Sequence, residues 1–205
     1  MKIAIIGTGN VGGALATKWA HVGHEILLGV KDQDNFKGKS LLTNLNTTVH
    51  STEEAVAASE VILIATPAPA AIQVAESLGN TSGKVIIDSM NIVMGRGPEG
   101  YSNTSDALLD HTESKDLAKC FNTTGFNNMA APEYQGMKVD AFTCGDSQKA
   151  KDIASQLALD AGFGACYDVG GNDKFQLMEQ FAFFWINLAM MQGQGREIAF
   201  KLLKR

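Results

Sequence analysis

The sequence predicts an α/β fold: a doubly wound, mainly parallel sheet with a C-terminal helical extension. Three observations predict it. Short apolar runs rich in β-branched residues stand at residues 3–6, 61–65 and 84–88, and continuous runs of this kind belong to strands covered on both faces. Segments of helical character alternate with them, as in consecutive βαβ units. The first run also halts at a glycine-rich turn that opens a helix.

In chain order, residues 3–6 are the first strand and residues 14–20 a helix ended by Gly23. Residues 25–28 form a second strand. Ser51, with Glu53 and Glu54 behind it, is a helix N-cap followed by first-turn carboxylates. A strand at 61–65, an alanine-rich helix at 70–78 and a strand at 84–88 continue the alternation. Residues 118–122 and 140–144 are further strand candidates, and 147–161 is a helix closed by Gly162. Two regions depart from the pattern. Residues 93–104, with MGRGPEGYSN inside, are glycine-rich and polar, so they should form a long surface loop, and such loops in compact domains usually serve a function. Residues 174–205 read as helical, with Leu177, Phe181, Phe184, Trp185 and Leu188 on one face and Met178, Ala182, Ile186 and Ala189 beside it. An apolar surface that wide needs covering on all sides. The expected division is therefore a dinucleotide-binding domain over 1–170 and a helical extension over 171–205 that packs on it and enters a homodimer interface.

At 205 residues, 45% hydrophobic and 19% charged, the chain is an ordinary globular protein, and disorder or a fibrous repeat is excluded. Its net charge of −5 is scattered, which argues against a nucleic-acid partner. Cys120, Cys144 and Cys166 form no CxxC pair and are odd in number, so neither a disulfide framework nor a metal site is expected. The start, MKIAIIGTG, falls short of a signal peptide's apolar stretch, and no segment reaches a membrane span of ~18 apolar residues. A cytoplasmic protein with no membrane partner is the expectation.

Gly7-Thr8-Gly9-Asn10-Val11-Gly12 is a GxGxxG pattern, and its place after a strand and at a helix start makes it a dinucleotide fingerprint. Gly7 permits the tight turn, Gly9 admits a pyrophosphate close to the backbone, and Gly12 lets helix and strand approach. The pyrophosphate then meets the helix N-terminus, whose free N–H groups favour an anion. Where a carboxylate would bind the ribose 2′-hydroxyl of NAD, the second strand ends Leu28-Gly29-Val30-Lys31. Lys31, with Lys37 or Lys39 beyond it, can pair with a 2′-phosphate, so NADP is favoured over NAD. The alternative is a shifted register in which Asp32 or Asp34 holds the ribose. Ala65-Thr66-Pro67 follows the next strand near the switch point, where the nicotinamide half would pass. The strand ends at Asn91 and at residues 121–126 add amides and hydroxyls to that edge. The expected cofactor contacts are Gly7, Thr8, Gly9, Asn10, Val11, Gly12, Val30, Lys31, Ala65, Thr66, Pro67 and Asn91, with no catalytic side chain and no metal.

GTGNVG at 7–12, GHEILLGVK at 23–31, ATP at 65–67, KCFNT at 119–123 and CGD at 144–146 form a sequential set. LMEQ at 177–180, Trp185 and GQGR at 193–196 complete it. On these residues the chain resembles the NADPH-dependent coenzyme F420 reductases, and its NADP-binding part is similar to the oxidoreductase domain of the STEAP metalloreductases. The resemblance implies that Thr8, Gly9, Asn10 and Val11 hold the pyrophosphate, Val30 and Lys31 the 2′-phosphate, and Thr66 and Pro67 the nicotinamide ribose. Val30 replaces the family's serine, which removes one phosphate hydrogen bond. Residues 121–125 replace an imidazole and proline segment, so the second-substrate pocket differs.

Three functions are compatible with the sequence. One is hydride transfer between NADPH and a small-molecule acceptor such as F420, FMN or FAD. Another is a β-hydroxyacid dehydrogenase or imine reductase activity, which needs a lysine followed four residues on by an asparagine; Lys174 is followed instead by Met178. The third is a non-enzymatic NADP-sensing module. His21, His24, His50 and His111 supply no catalytic pair, and Cys120 reads as a buried small hydrophobe.

Overall fold

A computed structural model describes residues 1–205. Its strands are β1 Lys2–Ile6, β2 Glu25–Val30, β3 Thr47–Ser51, β4 Val61–Ile64, β5 Val85–Asp88, β6 Asp116–Cys120, β7 Glu133–Tyr134, β8 Met137–Lys138, β9 Asp140–Cys144 and β10 Ala165–Asp168. The α-helices are α1 Asn10–His21, α2 Thr52–Ala58, α3 Ala71–Glu76, α4 Thr104–Asp110, α5 Phe126–Ala130, α6 Gln148–Asp160 and α7 Phe175–Ile186.

One eight-stranded sheet runs in the order β10-β9-β6-β5-β4-β1-β2-β3, and β7 pairs with β8 alone. From β3 to β6 every neighbouring pair is parallel. Strand β9 reverses against β6, and β10 runs parallel to β9. The order 3-2-1-4-5-6 across the parallel strands is that of the Rossmann fold, with its switch point between β1 and β4.

Alternate residues of each strand feed two cores. Ile3 and Ile5 face Leu15 and Trp19 of α1 and Ala154 and Leu157 of α6, and the Trp19 indole N–H donates to the Leu157 carbonyl at 2.8 Å. Ala4 and Ile6 face the opposite layer, with Val56, Val74, Leu108, Phe175 and Met178 from α2, α3, α4 and α7. The double winding thus follows from strands apolar on both sides.

Strands β3 and β10 are absent from the sequence reading. Both are half-exposed edge strands of the main sheet: TTVHS is mostly polar, and ACYD is only four residues long with no β-branched residue to mark it. Ser51 caps α2 in a full capping box with Glu54, as its spacing predicts.

The C-terminal region differs from the expectation of a helix to Arg205. Helix α7 passes into a π turn, Asn187–Met191, and stops. Gly193 and Gly195 take φ of 70° and 78°, which ends helical geometry. The tail then folds back: the Trp185 indole N–H donates to the Ile198 carbonyl at 2.7 Å, and Phe200 stacks on Phe181 at 4.7 Å. The buried face of α7 draws on both of the apolar groups read from the sequence. Phe175, Met178, Ala182, Trp185 and Ala189 are buried, whereas Leu177 and Phe184 are exposed. Apolarity all round left the rotational setting undetermined, and packing against the sheet decided it.

Candidate cofactor and acceptor site

The turn from β1 to α1 shows why each glycine stands where it does. Gly7 has φ +103°, and a Cβ there would lie 2.5 Å from the Ala65 carbonyl oxygen, so fingerprint and β4 end touch at the switch point. At Gly12 a Cβ would lie 2.0 Å from the Gly7 carbonyl oxygen and 3.1 Å from Ile5 Cγ2. Gly9 is the opposite case, with nothing within 4 Å of an added Cβ. Helix α1 has no side-chain cap and no acidic residue in its first turn. Its unpaired N–H groups and the positive end of its dipole therefore face open space beside Gly9, which fits a pyrophosphate.

Two cavities flank this turn. One, of about 210 Å³, runs from Gly7 and Thr8 to Gly29, Val30 and Lys31, and includes Thr66. The other, of about 430 Å³, is lined by Thr8, Gly9, Asn10, Lys18 and Lys37 among others. The loop after β2 closes onto the turn through a hydrogen bond from the Thr8 hydroxyl to the Lys37 carbonyl. Gly38, at φ +90°, approaches the Thr8 carbonyl so closely that a Cβ would lie 2.4 Å away.

Lys31 is exposed at the end of β2. Lys39 instead donates to the Asp34 carbonyl at 3.0 Å. The Asp32 carboxylate accepts the Asp34 and Asn35 amides at 3.0 and 3.1 Å, closing its own turn. That engagement weakens Asp32 as a ribose ligand and leaves Lys31 and Lys37 as the free cations of this corner.

The third cavity, about 430 Å³, lies beyond β4 and is lined by Pro67, Ala68, Pro69, Asn91, Val93, Met94 and Arg96. Among the expected contacts, Val11, Gly12 and Ala65 line none of the three cavities. Gly12 and Ala65 shape the turn from behind. Val30 is only 7% exposed, so it can offer backbone but not its side chain. Asn91 and Asn122 hold each other: Asn91 Nδ2 donates to the Asn122 carbonyl at 2.8 Å, and Asn122 Nδ2 to Asn91 Oδ1 at 2.9 Å. The buried Asn122 Oδ1 has no partner.

Below this edge lies a charge cluster that sequence reasoning missed. Lys119 is fully buried, and its ammonium reaches Asp88 Oδ2 at 2.7 Å, Glu179 Oε1 at 3.0 Å, the Thr104 hydroxyl at 2.9 Å and the Met90 carbonyl at 3.0 Å. Burial alone would pull the Lys119 pKa down, but the carboxylates of Asp88 and Glu179 outweigh it and raise it. Glu179 also accepts the Ile92 amide at 2.8 Å and the Thr104 amide at 2.9 Å. One carboxylate thus pins both ends of the long loop to α7. The three residues come from β5, β6 and α7, so no local motif announces them; the only signal was charge inside apolar segments.

Other reactive groups stand away from this edge. His24 bonds Asp160 at 2.8 Å, and His50 bonds Thr48 at 2.8 Å. His111 ends α4, a full helix away from its start at Thr104 beside Asp88, and faces Glu76 at 3.6 Å. Lys174 pairs with Asp173 at the foot of α7. Burial raises the Cys120 thiol well above its ordinary value and takes Cys144 up to about 12, which suppresses thiolate chemistry.

Residues 2–92 match the family described as NADP oxidoreductase, coenzyme F420-dependent. The chain is 25% identical over 162 residues to the rat metalloreductase STEAP3, of which it spans about a third (32%), while 79% of this chain is covered. It is 25% identical to the F420-dependent NADP reductase of Methanothermobacter marburgensis, with 92% of each chain covered. A crystal structure from Arthrobacter sp. FB24, assigned as an F420-dependent NADP reductase, superposes over 100% of both chains with TM-score 0.86 at 23% identity, which shows a shared fold. Over residues 2–92 the chain is thus similar to the coenzyme F420-dependent NADP oxidoreductases, and over its whole length it shares their fold.

Proposed function

We propose that this protein is an NADP(H)-dependent oxidoreductase that moves a hydride between nicotinamide and a flavin-like or deazaflavin acceptor, F420, FMN or FAD. The observation that carries the reading is the switch-point geometry. An uncapped helix start and the open face of Gly9 stand on one side of Thr66, and a separate cavity opens on the other side, beyond Pro67. Bound nicotinamide supplies two electrons and a hydrogen as hydride. The chain's own part is positioning: the fingerprint turn takes the pyrophosphate, Lys31 takes the 2′-phosphate, and Pro67 and Pro69 give the acceptor an apolar wall. No His, Lys, Tyr or carboxylate lines the acceptor cavity. That lining suits a ring that spreads the incoming charge and takes its proton from water, and it does not suit a carbonyl that needs a general acid.

The reading is tested by following NADPH oxidation with each of the three acceptors; no turnover with any of them overturns it. His111→Ala and Lys174→Ala, made singly, should each change the hydride-transfer step by less than about tenfold, whereas loss of a general acid costs ~10²–10⁴. A thousandfold loss with cofactor affinity intact would promote the dehydrogenase reading.

Cofactor choice is expected to rest on Lys31. NADPH should bind more tightly than NADH, and Lys31→Ala should remove most of the difference, ~1.5–3 kcal/mol for a hydrogen bond to a charged group. Titration calorimetry decides, and equal dissociation constants for the wild type would remove the argument.

We further propose a cytoplasmic homodimer assembled through α7 and its π turn. No helix is long and apolar enough to cross a membrane. Leu177, Phe183, Phe184, Met190 and Met191 are each 41–54% exposed, a contiguous stretch that a lone soluble chain rarely shows. Sedimentation at micromolar concentration should give a dimer; a single monomeric species would refute it.

A further inference from the structure

We propose that Arg96 is a specificity-determining residue that binds an anionic, phosphate-bearing substituent of the hydride acceptor, so the site prefers phosphorylated flavins or deazaflavins to the bare ring systems. This rests on the hydride-transfer reading and adds the chemical class of the acceptor's tail.

Three observations carry it. Arg96 is the only charged residue among those lining the acceptor cavity, which is otherwise two prolines, an alanine, a valine, a methionine and Asn91. A cavity of about 430 Å³ is of the size that holds a ring system with a short substituent. The guanidinium enters no salt bridge, although the chain has an excess of carboxylates, so its donor fork is unclaimed beside an apolar slot. A planar fork of that kind matches phosphate oxygens two at a time.

The backbone of Arg96 is also held in place. Val93 and Arg96 form a β-bridge, with the Arg96 amide donating to the Val93 carbonyl at 3.1 Å. The two residues between them, Met94 and Gly95, have φ of +54° and +72°, the left-handed pair of a tight hairpin turn. Methionine is unfavourable there, and such strain is tolerated where surrounding structure over-determines the turn. Here it does so on both sides. Glu179 fixes the amide of Ile92, next to Val93, and Gly97 lies against Ile92 so closely that a Cβ would meet its Cδ1 at 2.4 Å. The clamped turn fixes where the Arg96 backbone stands beside the cavity, and its exposed, unpaired side chain is free to reach a ligand there.

The test compares ring systems with and without phosphate: FMN against riboflavin, and F420 against its phosphate-free deazaflavin chromophore. Binding is read by flavin or deazaflavin fluorescence, with the protein saturated in NADP⁺. At least one phosphorylated ligand should bind about tenfold more tightly than its partner, and which pair shows the gap identifies the source of the phosphate. Arg96→Ala should close the gap by weakening the phosphorylated ligand alone, Arg96→Lys should keep part of it, and added salt should shrink it. Equal binding within both pairs, or a gap that survives Arg96→Ala, overturns the inference and leaves hydride transfer standing. If none of the four binds, the acceptor reading falls and this inference with it.

Discussion

Replacing Lys119 by methionine should lower the thermal midpoint of the apo protein by roughly 6–20 °C. The ammonium is sealed from water between Asp88 and Glu179, and removing it leaves two carboxylates in contact with only hydroxyls and amides. Breaking a buried pair from one side costs ~3–5 kcal/mol, and each kcal/mol moves the midpoint of a domain this size by about 2–4 °C. Lys2 and Glu25, 51% and 49% exposed, supply the control: Lys2→Ala should cost at most ~1 kcal/mol. The Lys119 contribution also has a defined pH dependence. Because the folded-state pKa is raised, the stabilisation is complete below the unfolded value near 10.5 and is lost only as pH rises through the folded one. Scanning calorimetry should therefore find this part of stability flat across the neutral range. A midpoint within about 2 °C of wild type would show that the cluster is not structurally required.

Gly9→Ala and Gly12→Ala should fail in opposite ways. Gly9 has open space where a Cβ would stand and φ −78°, so alanine is accepted and the apo midpoint should not move. The methyl then occupies the approach of the pyrophosphate, and lost charge-assisted hydrogen bonds of ~1.5–3 kcal/mol should weaken NADPH binding about tenfold to a hundredfold. At Gly12 the methyl would overlap the Gly7 carbonyl, so the backbone must shift, destabilising the fold by ~1–3 kcal/mol or more before any ligand is added. Paired melting curves and NADPH titrations separate the two. Unchanged NADPH affinity in Gly9→Ala would mean that no phosphate passes there.

What was legible in advance was what short-range pattern encodes. Strands β1, β4 and β5, the GxGxxG turn and the Ser51 capping box each declare themselves within a few residues, and the doubly wound order follows from strands apolar on both faces. The edge strands β3 and β10 did not, because a half-exposed polar strand and a four-residue strand without β-branched residues both lack a covered strand's signature. Helix α7 was recognised as a helix, but its inward face stayed undetermined and it was run too far. Long-range packing decides the rotation of an all-round apolar helix, and the glycines at 193 and 195 end what composition would continue. The Lys119 cluster was invisible for a related reason: residues 31 and 60 positions apart meet only after the sheet and α7 have assembled.

The single carboxylate that fastens Ile92 and Thr104 has a consequence for how this scaffold can change. With both feet of the loop tied to α7, the stretch between them can vary in length without disturbing the fastenings. Gly100, at φ +83° and with nothing within 4 Å of an added Cβ, marks an open tip. Doubling such a segment costs only about 0.6 kcal/mol in closure entropy. The NADP-binding half and the sheet would not sense an insertion there. The proposed acceptor side is in that sense an exchangeable part: insertions at the open tip beside Gly100 can vary it while foldability is secured elsewhere, and an insertion library confined to that tip should yield mostly folded protein.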